Sequence, residues 1–178
     1  MSFSKMVKNR ELAYITRLLA VFGAVEERQM RELFNFMNDR KYGAIIHRIS
    51  SEGTAYRTDD AHLIASSKFT LEKSLVKECV MCFWAFIKVK NKVLDFCPGA
   101  EPAIVTLSTK MGIYDLLPVT DRTIEQINDA VEVIPESTVR FLITEDLHKI
   151  TRITRRSHND FVLLVDLSLI HISEPTRH

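Results

Sequence analysis

Residues 40–53, RKYGAIIHRISSEG, decide the fold of the N-terminal third of the chain. At 3.6 residues per turn this stretch splits into two opposed faces. Tyr42, Ile45, Ile46 and Ile49 form one apolar stripe, which a core needs. Arg40, Lys41, Ala44, His47, Arg48 and Ser51 form the other. That second stripe sets cationic and hydrogen-bonding groups around a small residue, a surface suited to a DNA major groove. Asn38 or Asp39 is placed to cap the helix and Gly53 to end it.

Outward from this helix the pattern continues. Leu12, Ile15, Leu18, Leu19 and Phe22 repeat at helical spacing, with Gly23 as a C-terminal stop. Met30, Leu33, Phe34 and Met37 make a second short helix, with Glu26 and Glu27 where its dipole favours acids. Residues 54–58 and 62–66 read as two strands around Asp59-Asp60-Ala61. Three helices and a hairpin in this order predict a winged helix-turn-helix over residues 9–67. In such a motif Arg40 and Lys41 meet phosphate or base edges, His47 and Arg48 reach deeper, and Arg57 on the wing meets backbone. The competing reading of the same face is a solvated helix surface, or a winged helix that binds protein.

Charge limits the strength of any such binding. The chain has 178 residues and a formal net charge of +1. Residues 1–67 hold ten Lys/Arg and eight Asp/Glu; residues 68–166 hold thirteen and fourteen. Neither part is a polycation, so DNA affinity has to come from local placement and to be salt-sensitive. Three cysteines and no signal-like segment predict a reducing cytoplasmic setting. The longest central apolar run, Cys79–Ile87, has nine residues, about half of what spans a bilayer. No membrane segment is expected.

Residues 68–166 predict an α+β domain. Thr70 is placed to cap a long helix carrying Leu71, Leu75, Cys79, Phe83, Phe86 and Ile87 on one side. Pro98-Gly99 breaks the chain, and residues 103–107 and 113–119 read as strands joined near Met111-Gly112. Residues 121–133 read as a helix, and 139–144 and 161–165 as further strands. The whole chain is thus expected to be α+β: a winged helix, then a small mixed sheet packed with helices.

Catalytic signatures are few. Cys79-x-x-Cys82 has metal-site spacing, but a zinc site needs four ligands and no second pair follows, so both read as core cysteines. Neither a Gly-rich phosphate loop nor a nucleophile elbow is present. The order of elements in residues 68–166 resembles the restriction-endonuclease fold. Its chemistry needs Glu or Asp two residues before Lys on a strand. Asp95, Asp115 and Glu145 lie near strand ends without that Lys; the one D-x-K, Asp39-Arg40-Lys41, opens a helix in the other unit. Glu145, Asp146 and His148 read as a polar loop capping a short helix, and Arg152, Arg155 and Arg156 as a basic loop. No catalytic residue, metal or cofactor is expected, and the chain is expected not to be an enzyme.

CFWAFI at 82–87, PAIVTLS at 102–108, GIYDLLPV at 112–119 and FVLLVD at 161–166 carry a family resemblance. With the N-terminal helices, they make residues 10–166 resemble a bacterial family catalogued as a domain of unknown function. Its members resemble accessory proteins of conjugative and other mobile elements, and are similar in layout to relaxation or replication accessory proteins with a winged helix. The resemblance implies a cytoplasmic DNA-binding accessory or regulatory protein. Its partners would be double-stranded DNA and either a second copy or a relaxase-type protein. The alternatives are a protein–protein adaptor and an inactive or divergent restriction-endonuclease-like protein. The family's final strand after FVLLVD is missing here. Residues 167–177, LSLIHISEPTR, resemble instead a translated sequencing adaptor, so 167–178 are expected to be a foreign tail on a truncated domain.

Overall fold

The computed structural model describes residues 3–58, 63–68, 70, 75–130, 138–154 and 159–165, with side chains from Arg10 onward. The chain is α+β and divides into two compact units, residues 1–83 and 84–178. The division falls inside a helix, whereas the boundary expected from the sequence lies between residues 67 and 68.

Unit 1 opens with helix α1 (Phe3–Phe22), whose Ile15, Leu18, Leu19 and Phe22 are all buried. Gly23 ends it at φ +81°, in the left-handed region that side chains avoid, and its amide donates to the Leu19 carbonyl at 2.8 Å. Strand β1 (Ala24–Glu26) follows, then α2 (Glu27–Leu33) and α3 (Asp39–Ser51). Gln29 opens α2 by accepting from the Glu26 amide at 2.9 Å, and its side chain donates to the Val80 carbonyl at 2.8 Å. Phe34 and Met37, expected within the second helix, lie past its end in a turn, although both are buried.

Helix α3 matches its pattern closely. Asn38 caps it by accepting from the Lys41 amide at 2.9 Å. Tyr42, Ile45, Ile46 and Ile49 are the buried residues. Each buried Ile side chain contributes roughly 1.5–3 kcal/mol. At the far end Gly53 takes φ +69°, and the Thr54 and Ala55 amides both donate to the Ile49 carbonyl. That reversal delivers the chain into β2 (Tyr56–Arg57), which pairs antiparallel with β3 (Leu63–Ala65). β1 pairs with the other edge of β3, giving the strand order β1-β3-β2. The expected wing tip at Asp59–Ala61, and His62 where the second strand is expected to open, lie outside the described residues.

Helix α4 (Val76–Val89) starts within unit 1 and ends within unit 2. The start expected at Thr70–Leu71 falls against residues 71–74, which lie outside the described set. Its run from Cys79 to Ile87 is buried except for Trp84, which is half-buried.

In unit 2 a 3-10 turn (Lys90–Lys92) leads to β4 (Val93–Pro98), β5 (Val105–Thr109) and β6 (Gly112–Pro118). Helix α5 (Ile124–Ala130), β7 (Val139–Thr144), the short α6 (Leu147–Ile150) and β8 (Asp160–Leu164) complete it. The sheet runs β4-β5-β6-β7-β8. β4, β5 and β6 are antiparallel neighbours; β6, β7 and β8 are parallel. β4 is an unexpected strand: only Phe96 in it is buried, so no apolar alternation marks it. One core joins Leu117, Val119 and Leu142 of the sheet region to Ile124, Ile127, Ile150 and Ile153. Near the start of β7 the sheet buries an ion pair. Arg140 grips Asp160 through two nitrogens, Nε at 2.6 Å, with the side chains 1% and 4% exposed.

Candidate nucleic-acid interface

The face of α3 opposite the core is open. Arg40, Gly43, Ala44, His47, Arg48 and Ser51 are exposed, and Lys41 is half-buried. These positions recur at helical spacing, so they follow from the same periodicity that buries Ile45 and Ile49. The middle of the face is bare: a Cβ placed on Gly43 would meet nothing within 4 Å. Gly43 and Ala44 together leave a smooth strip between Arg40 and His47. Backbone there can approach a partner surface closely.

Three of the four candidate cations are held by carboxylates. Lys41 Nζ lies 2.6 Å from Glu11 Oε1 of α1. Arg48 Nε donates to Glu52 Oε1 at 2.7 Å, one turn along α3. Arg57 of β2 donates to Glu27 Oε2 from Nε at 2.8 Å and from a terminal nitrogen at 2.6 Å. Arg40 makes no ion pair or side-chain hydrogen bond among the described residues, and neither does His47. The face therefore combines one uncompensated guanidinium, one imidazole and three partly neutralised cations. Partly exposed pairs of this kind contribute about 1 kcal/mol or less each, so carboxylate and phosphate compete for the cation. Two of these three pairs have no local sequence signal. Arg48–Glu52 was legible as an i,i+4 pair, but Lys41–Glu11 and Arg57–Glu27 each join residues 30 apart.

Tyr42 anchors the helix from below. Its hydroxyl donates to the Glu27 carbonyl at 3.4 Å, and the Arg31 guanidinium sits 4.2 Å from its ring centroid. Burial, and then the Glu27 charge, push its pKa far up, offset in part by Arg31 and Arg57. The phenol stays neutral.

No family model, curated protein or solved structure matches the chain.

The remaining motifs take structural places. Cys79 and Cys82 are buried, and burial pushes the Cys82 thiol well up, with Cys79 and Glu78 adding to it. Both thiols pack as core side chains, as the sequence reading expects. Asp146 caps α6 by accepting from the His148 amide at 2.9 Å. Lys149 and Arg152 both donate to Asp121, holding its carboxyl below the usual range. Arg155 and Arg156 lie outside the described residues. On β6, Asp115 accepts from Thr106 Oγ1 at 2.5 Å. The position two residues on, where a restriction-endonuclease strand carries Lys, is Leu117, fully buried. Among the described residues no helix is long and apolar enough to cross a membrane.

Proposed function

We propose that unit 1 is a winged helix and that the chain is a DNA-binding accessory or regulatory protein, acting in the bacterial cytoplasm for a conjugative or other mobile element. The observation that carries the DNA reading is the bare strip of α3, with Gly43 and Ala44 between exposed Arg40 and His47. The strand order β1-β3-β2, with a hairpin following α3, supports the winged-helix reading. The mobile-element setting rests on the resemblance carried by residues 82–119 and 161–166.

On this reading α3 enters the major groove. Arg40 donates to phosphate or to a guanine edge, for which its fork of donors is suited. His47 lies seven residues on, about 10 Å further along the helix. That is roughly three base steps of a duplex at 3.4 Å each. Lys41, Arg48 and Arg57 flank this contact, each held by a carboxylate that competes with phosphate for it.

The test is duplex binding by the whole chain, titrated with salt, for wild type, Arg40→Ala and Arg48→Ala. The proposal expects weak binding at low salt, a negative slope of log affinity against log salt, and loss in Arg40→Ala exceeding that in Arg48→Ala. A second reading, a protein–protein adaptor, draws on the three neutralised cations. Absence of binding to any duplex at low salt would favour it.

A further inference from the structure

Unit 2 contains a cavity of about 450 Å³. Its floor is Leu107 of β5 with Tyr114 of β6 and Phe141 of β7. The two aromatic rings are stacked, centroids 5.4 Å apart and 22° between planes. Leu94 of β4 and Met111 of the β5–β6 turn stand at its rim, 63% and 85% exposed. Lys92 and Lys110 also line it. Both lysines are exposed and neither has an ion-pair partner among the described residues. Among the described residues no Asp or Glu lines the cavity. An apolar floor under a rim charged with one sign suits a ligand with an apolar body and negative flanks.

We infer that this cavity is a docking site for an acidic, amphipathic segment of a partner protein. An apolar side chain of that segment would rest on Leu107, Tyr114 and Phe141, and its carboxylates would meet Lys92 and Lys110.

Two observations select this occupant. Leu94 and Met111 line the cavity yet are 63% and 85% exposed, so a small molecule within it would cover only their inward sides. A peptide laid across the rim covers both, and Met in particular adapts to apolar surfaces of varied shape. A second copy docking the same face on itself is disfavoured by charge. A two-fold interface would bring Lys92 and Lys110 against their own counterparts.

The site lies wholly in unit 2 and stands apart from the DNA reading of α3. The test is selection of random linear peptides displayed on phage, against the immobilised full chain. The inference expects enriched peptides with a Leu, Phe, Trp or Met flanked by Asp or Glu. A synthetic copy of the most enriched peptide should lose affinity by about tenfold or more for Lys92→Glu/Lys110→Glu, since like charges then face each other. Met111→Ser should weaken it several-fold, with both variants melting like wild type. No enrichment over the bare surface, enriched peptides without carboxylates, or affinity indifferent to the charge reversal would each overturn the inference. So would self-association of the full chain that the reversal abolishes, or duplex binding that it abolishes.

Discussion

Three carboxylates restrain the basic face of α3, and removing them should strengthen DNA binding. The perturbation is Glu11→Gln, Glu27→Gln and Glu52→Gln in one chain. Glu11 holds Lys41, Glu27 holds Arg57 and Glu52 holds Arg48. In wild type only Arg40 among these four cations can neutralise a phosphate without first surrendering a carboxylate. A salt slope near about −0.9 follows, one contact's worth. With the three carboxylates gone, four cations can displace counterions, and the slope should approach about −3.6. The gain of about 2.7 in slope means that the variant's advantage changes about 40-fold between roughly 50 and 200 mM salt. Folding should survive, because partly exposed pairs contribute about 0.2–1 kcal/mol each, or roughly 0.6–3 kcal/mol together. Fluorescence anisotropy of a labelled duplex, titrated at five or so salt concentrations, measures both quantities. A wild-type slope already near −3.6, or a variant with the wild-type slope and affinity, would refute the view that these pairs compete with phosphate.

Other expectations concern the scaffold. Asp160→Ala should cost about 3–5 kcal/mol in urea unfolding, because it takes the bidentate carboxylate from a guanidinium that is 1% exposed; Arg140→Met with Asp160→Leu should recover most of that loss. Gly43→Ala should stabilise the fold by about 0.5–1 kcal/mol, since the site is mid-helix with open space around it. Gly43→Leu should fold equally well yet lose duplex binding, and retained binding would show that the strip is not a contact surface. In the native chain a thiol reagent should label exposed Cys97 quickly, and reach Cys79 and Cys82 only on unfolding.

Much of the fold is legible in residue spacing. The buried set Tyr42, Ile45, Ile46 and Ile49 is the stripe that periodicity picks out in residues 40–53. β7 occupies 139–144, as its apolar run predicts. What is not legible is local structure too short or too lopsided to show a period. β1 has three residues, Ala24, Val25 and Glu26, too few to alternate. β4 buries Phe96 alone and leaves Leu94 exposed, so its sequence carries no inward face. The end of α2 is masked in the sequence for a different reason: Phe34 and Met37 are buried from a turn, and burial there imitates helical spacing. At the candidate interface the exposed side of α3 follows from the sequence, because it is whatever the core stripe leaves out. Its neutralisation does not. Glu11 and Glu27 reach Lys41 and Arg57 only once α1, α2 and β2 are folded together. Ion pairs at such separation have no sequence signature.

The central claim is that α3 is the surface unit 1 presents to duplex DNA. The most direct measurement is amide chemical-shift mapping of the full chain as a mixed-sequence duplex is titrated in at low salt. The account predicts shifts concentrated on residues 39–51, strongest from Arg40 to His47, with a smaller set across the β2–β3 hairpin. Shifts confined to unit 2, or none at a duplex concentration well above that of the protein, would contradict it.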